Sequence, residues 1–335
     1  MITKENDEKP FDLETGFSID LPLHRVQYIP AGRCLIVSFE HAGLSVRGDK
    51  NRLPWSSHFF LKEGHSVLGV VAHKSIWFRD AALHQALTDL KTRGFFKLFD
   101  SVVLTGGSMG GFGAAAFASL SPDCIVLAFN PQSTLDKRKV PWEDRYERPS
   151  KENWDLPFGD AALEAVHASK VYVVYDPFFK LDANHALRFP EENRILLPVP
   201  FIGHGVPSTL QEIRILADIS RKAIASTLTR EEFSVLARKR KKSPKYYKTL
   251  IQSLTMRKHY ASAISLCRKA YKMFNDPVFQ EMRAVVLAAE GRTEAAFELI
   301  QMDQQARGKS IRQARRAKKI AKGRETVAKG PAADG

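Results

Sequence analysis

The string Gly106-Gly107-Ser108-Met109-Gly110-Gly111 joins an apolar run, SVVLTG, to a helix-forming run, FGAAAFASL. Within it, Gly106 to Gly110 spell G-x-S-x-G in the order strand, sharp turn, helix, the context that gives this pattern chemical meaning. A turn this tight strains the serine backbone, and small residues must flank it because any Cβ there would strike the adjoining strand or helix. The Ser108 hydroxyl is thereby offered at a helix N-terminus, where free N–H groups favour developing negative charge. The chemistry implied is nucleophilic attack on an acyl carbonyl. Two other readings of the glycines are open: a turn without chemistry, or a phosphate cradle. Against the cradle, the spacing is neither G-x-x-x-x-G-K-[ST] nor G-x-G-x-x-G, and no Lys follows the turn.

A serine nucleophile needs a base, and the base needs an acid to orient it. His204 follows the last strand-like run, in IGHGVPSTLQEI, where flanking glycines let a loop return an imidazole over the sheet edge. His41, His65 and His73 sit beside earlier runs and have no equivalent claim. The acid should follow VYVVY, and two aspartates compete there. Asp176 caps that run directly; Asp182 lies six residues on, in a loop or as the N-cap of a short helix, and is preferred because a loop carboxylate leans across the strand ends more easily. For the oxyanion, the Met109 N–H supplies one donor, and the N–H of Glu40 or His41, after CLIVSF, is expected to supply the other.

These groups require a sheet to carry them. Apolar runs at 34–39, 66–72, 101–106, 124–129, 171–175 and 194–201 show little alternation, as strands covered on both faces do. Amphipathic stretches near 80–94, 110–120, 157–168 and 207–227 separate them. Strand and helix in alternation predict an α/β fold, a mostly parallel sheet with helices on both faces, over residues 1–230. The connection at about 131–156 is too long for a simple loop: either a lid or a surface excursion pinned by Trp142 and Trp154. Lys137, Arg138, Lys139, Arg145 and Arg148 within it hint at an anionic substrate, but Glu143, Asp144 and Glu147 nearly offset them, so a solvated charged loop is expected.

From 243 the pattern becomes helical alone. KHYASAISLCRKA (258–270) and GRTEAAFELIQMD (291–303) align at an offset of 33 residues, placing Ala263 on Ala296. The segment 243–304 resembles tetratricopeptide repeats, a small all-α region that must pack on the first domain or on a protein partner. The net charge of +14 belongs to this end of the chain: residues 231–335 hold 24 of the 51 Lys and Arg but 10 of the 37 Asp and Glu. The basic tail, 305–335, has too few large apolar groups to fold alone. It carries no interleaved aromatics for base stacking, which argues against a nucleic-acid role.

At 335 residues and 44% apolar, the chain can bury one large core and a smaller second one. No window suggests a membrane span, and the start MITKENDEKPFDLETG lacks an apolar signal core, so a cytoplasmic protein is expected. Cys34, Cys124 and Cys267 are dispersed, and read as small buried hydrophobes in a reducing compartment. Histidines and cysteines never cluster at ligand spacing, so neither a metal nor a cofactor is expected.

Residues from about 30 to 227 resemble the α/β-hydrolase superfamily, with the elbow after a central strand, the acid after the penultimate strand and the histidine after the last. The fuller string GGSMGGFGAAAFA, with AFNPQS at 128–133, is similar to a bacterial branch of it that sometimes accompanies glycan-assembly proteins. The resemblance implies a serine esterase or acyltransferase working through an acyl-enzyme, on a small-molecule or glycan acyl substrate. YDPFFKLD departs from the Gly that many relatives place before the acid, which bears on the choice between Asp182 and Asp176. The rival reading is a hydrolase-like scaffold that has lost turnover and recruits a partner through its helices and tail.

Overall fold

The structure, a computed structural model, describes residues 11–46 and 49–302. The chain divides after Ser243 into two compact units. The first opens with β1 (Phe17–Asp20), β2 (His24–Ile29), β3 (Cys34–Phe39), α1 (Ala42–Ser45), α2 (Ser57–Lys62), β4 (Ser66–Ala72) and α3 (Ala81–Thr92). It continues through β5 (Ser101–Gly107), α4 (Met109–Ala116), β6 (Ile125–Phe129), α5 (Ala161–Glu164), β7 (Lys170–Tyr175), α6 (Lys180–Leu187) and β8 (Arg194–Pro198). Three helices close it: α7 (Val206–Glu212), α8 (Leu216–Ile224) and α9 (Arg230–Ala237).

Among the described residues the strands form one sheet in the order β1-β2-β4-β3-β5-β6-β7-β8. From β4 to β8 every pairing is parallel; β1–β2 and β2–β4 are antiparallel. The lack of alternation in the apolar runs has its cause here. On β3, Leu35, Val37 and Phe39 enter the core beneath Phe112 and Phe117, while Ile36 enters the opposite core with Phe60, Leu210, Ile219 and Phe233. Both faces are therefore apolar and both are covered, which is the expected mostly parallel α/β architecture with helices on each side.

Several local expectations are corrected. β1 and β2 lie outside the expected runs because β1 is an edge strand of alternating exposure, and β2 carries His24 and Arg25, polar residues that are nonetheless buried. His24 is held by Asp80 at 2.8 Å, which offsets its burial. The stretch 157–168 yields only α5 and a 3₁₀ turn, and 207–227 breaks into α7 and α8 at Arg214, whose φ is +57°. The first unit runs to 243 rather than 230, because Phe233 and Ala237 bury in its core. Cys124 and Cys267 are buried as expected, whereas Cys34 is only half-buried.

The second unit comprises α10 (Pro244–Met256), α11 (Tyr260–Phe274), α12 (Val278–Ala289) and a helical stretch over 293–302. Asn275 ends α11 in the left-handed region at φ +49°, and Pro277 precedes α12. Ala263 and Ala296 are both buried in one small core with Ile251, Cys267 and Phe279. No helix among the described residues is long and apolar enough to cross a membrane. The basic tail expected at 305–335 lies outside the described residues.

Candidate active site

Ser108 occupies the turn between β5 and α4 with φ +55° and ψ −118°, a conformation that costs a non-glycine residue about 1–3 kcal/mol. Its N–H donates to the Phe129 carbonyl at 2.9 Å, tying the turn to the neighbouring strand. The glycines around it are sterically required. A Cβ on Gly106 would stand 2.3 Å from the Gly110 backbone, and one on Gly110 would stand 2.2 Å from the Phe39 carbonyl oxygen. The helix thus begins pressed against the end of β3.

Ser108 Oγ lies 2.9 Å from His204 Nε2, and His204 Nδ1 lies 2.7 Å from Asp182 Oδ2. A carboxylate only accepts, so Nδ1 carries the hydrogen and donates to Asp182, which leaves the Nε2 lone pair facing the serine hydroxyl. Asp182 is fully buried; His204 is about one-third exposed, at 31%. Asp182 sits in the first turn of α6 rather than in a loop, with Phe179 as the N-cap.

Asp176 is placed differently, and the alternative that made it the orienting acid is corrected. Its Oδ1 accepts the N–H groups of Phe178 and Phe201, at 2.9 and 3.0 Å. Its Oδ2 accepts those of Ile202 and Gly203, at 2.8 and 2.7 Å. Four main-chain donors occupy this buried carboxylate, so it braces the turn that delivers His204 and does not touch the imidazole.

The register of β3 on β5 pairs Phe39 with Gly106, which sets the segment beginning at Glu40 beside Gly107 and Ser108. The Glu40 carboxylate is turned away: it is fully buried, and it accepts from Arg52 Nε and from the Ala72 N–H, both at 2.9 Å. His41 is the extended residue that opens α1. The Glu40 carboxylate is thus spent elsewhere, and the main chain of this segment runs at the same sheet end as Met109, the first residue of α4.

The connection 131–156 brings residues to the site that the pattern of motifs did not single out. Arg145 Nη1 donates to Asp182 Oδ1 at 2.8 Å, and the same guanidinium grips Glu143 through Nε at 2.9 Å. Nη1 also lies 3.3 Å from His204 Nδ1, but both atoms carry hydrogens, so that approach is a contact and not a hydrogen bond. The Tyr146 hydroxyl stands 3.2 Å from His204 Nε2. Asn130 Nδ2 is 3.2 Å from both ring nitrogens of His204, so the amide lies against the ring.

A buried chain continues outward. Glu143 Oε2 accepts from His185 Nε2 at 2.9 Å, and His185 Nδ1 accepts from the Ser133 N–H at 3.0 Å, which makes His185 a neutral ring with its hydrogen on Nε2. Arg188 then links Ser133 to Asp160. Burial pushes the Glu143 carboxyl up, but hydrogen bonds from His185 and Arg145 outweigh it and hold it at about 2. Burial lowers His185, opposed by its bond to Glu143. It also lowers Arg145, but Glu143 and Asp182 more than offset it and the guanidinium is held above its ordinary value.

The expectation of a solvated charged loop is therefore overturned for its central residues. Glu143 is 1% exposed and Arg145 18%, because each carries its partner with it. Arg138 and Lys139, at the margin, pair with Asp136 and Asp160. The tryptophans contribute as well: Trp142 lies 4.6 Å from the His185 ring, and Trp154 packs edge-on against Phe112 of α4. Arg79 closes the segment, donating to the carbonyls of Asn153, Leu156, Pro157 and Phe158.

No protein-family model and no curated protein sequence matches the chain. Among solved structures it is similar to the capsule O-acetyltransferase of Neisseria meningitidis serogroup A, at 13% identity and a TM-score of 0.43, covering 62% of this chain and 93% of that one. It is similar to an esterase of Pyrobaculum calidifontis at 13% identity and a TM-score of 0.46, over 64% and 86% of the two chains. A third likeness is to the glycosylation-associated protein complex Gap123 of Streptococcus agalactiae, at 14% identity and a TM-score of 0.43, over 62% of this chain and 46% of that one.

Proposed function

We propose that the protein is a serine hydrolase or acyltransferase that works through an acyl-enzyme. Ser108 attacks the acyl carbon while His204 Nε2 takes its proton, and Asp182 fixes the imidazole tautomer and stabilises the imidazolium. The developing oxyanion is assigned to the Met109 N–H with the N–H of Glu40 or His41. One observation carries the reading: the continuous line from Ser108 Oγ to His204 Nε2 at 2.9 Å and from His204 Nδ1 to Asp182 Oδ2 at 2.7 Å. General-base assistance of this kind contributes about 10²–10⁴-fold to rate.

The substrate class extends to small acyl esters, acylated glycans among them, with water or an alcohol as acceptor. The proposed place of action is the cytoplasm. The helical region, proposed as repeat-like, is the candidate for a protein partner; Val285, Phe297 and Met302 are large apolar groups exposed on it.

Fluorophosphonate labelling tests the reading on wild type, Ser108→Ala and His204→Ala. Stoichiometric labelling of the wild type, lost in both variants, is expected. Absence of labelling in a folded wild type would remove the enzyme and leave the scaffold reading, in which a silent hydrolase-like body recruits a partner.

A further inference from the structure

We infer that Tyr146 positions the acyl acceptor, an inference that rests on the serine-hydrolase reading. His204 Nε2 offers one lone pair, yet two hydroxyls stand at it: Ser108 Oγ at 2.9 Å and the Tyr146 hydroxyl at 3.2 Å. In the acylation step the lone pair belongs to Ser108. Once Ser108 is acylated its hydroxyl hydrogen is gone, and the next group to use Nε2 is the incoming water or alcohol. That acceptor must sit within hydrogen-bond reach of Nε2, which is the neighbourhood the Tyr146 hydroxyl already occupies.

The phenol is well held for such a task. Its ring lies 4.6 Å from that of Trp77, a side chain 1% exposed, and the Arg145 guanidinium stands 5.1 Å from its centroid. Trp77 is itself fixed by a bond from Nε1 to Gln132. Burial raises the phenol further above neutral pH, so Tyr146 keeps its hydrogen and acts as a neutral donor.

The step balances as follows. The acceptor oxygen, receiving a hydrogen bond from the Tyr146 hydroxyl, attacks the acyl carbon and passes its proton to Nε2. The adduct expels Ser108 Oγ, which takes that proton back. The acyl group leaves as a carboxylic acid when the acceptor is water and as a new ester when it is an alcohol. Tyr146 ends with the proton it began with.

Two rates read on the full-length chain test this. Fluorophosphonate labelling needs only attack by Ser108, whereas turnover of p-nitrophenyl acetate also needs the acceptor. Tyr146→Phe keeps the ring between Trp77 and Arg145 and removes only the hydroxyl. It is expected to label within twofold of wild type while kcat for the acetate falls about fivefold to tenfold, the value of one neutral hydrogen bond. An equal fall in both rates, or a kcat unchanged, overturns the inference. A folded wild type that fails to label overturns instead the serine-hydrolase reading beneath it.

Discussion

Asp182 is shared between a standing cation and an imidazole on opposite oxygens: Oδ1 accepts from Arg145 at 2.8 Å, and Oδ2 faces His204 at 2.7 Å. Arg145 also carries Glu143, so a single guanidinium compensates two carboxylates that are each 1% exposed or less. Removing it strands both charges, and breaking a buried pair in this way costs about 3–5 kcal/mol. Arg145→Met is expected to lower unfolding stability by that order in urea melts, and Arg145→Met with Glu143→Gln to recover a measurable part of it. A single variant as stable as wild type would refute the pairing argument.

The two aspartates are expected to separate stability from chemistry. Asp176→Asn turns an NH₂ toward main-chain donors and loosens the turn before His204. The expected loss is roughly 1.5–3 kcal/mol of stability, the value of a hydrogen bond to a charged group. Asp182→Asn removes the acceptor of the His204 Nδ1 hydrogen, and wrong-tautomer histidine lowers kcat on the order of 10³–10⁴-fold. Parallel melts and esterase assays check both. Equal activity loss in the two variants with Asp176→Asn fully stable would reverse the assignment.

Acid sensitivity follows from the buried histidines. Burial, and next the charge of Arg79, lower His84 from 6.5 to about 4, and His185 shifts in the same direction. As pH falls below 6.5 the unfolded chain binds these protons first, so the stability they contribute is complete above 6.5 and is lost as pH falls through 4. His84 alone accounts for on the order of 3 kcal/mol. The melting midpoint is expected to drop across that window, with a smaller drop in His84→Gln; identical pH profiles would exclude His84 as a cause.

Much of this architecture is legible in the amino-acid sequence, and the reasons are local. Runs such as CLIVSF read as strands because both faces of the sheet are apolar, and the turn at Ser108 announced itself because only glycine fits against Gly110 and Phe39. The order of Ser108, Asp182 and His204 along the chain was also readable, since each follows a strand end. β2 was hidden because His24 and Arg25 look like surface residues until Asp80 and the Arg52 carbonyl are brought to them from distant segments. Arg145 and Tyr146 were hidden for the same reason: their partners lie 37 and 58 residues away, and no periodicity encodes such a meeting. The one available signal was an aromatic set among charges, Glu143-Asp144-Arg145-Tyr146, between two tryptophans.

Arg79 gives the long connection an unexpected character. It is 5% exposed, and its guanidinium is satisfied by four carbonyls contributed over Asn153 to Phe158, with Trp154 5.3 Å away. Among the described residues no side-chain carboxylate takes part in that clasp; its hydrogen bonds go to backbone alone. Exposed residues of the clasped stretch, Asn153 and Asp155, can therefore change identity while the anchor holds, provided the chain keeps its path. The clasped stretch is thus a faceplate on a fixed mount: what the mount holds is the path of the main chain, and a change in its length removes the carbonyls and unseats it.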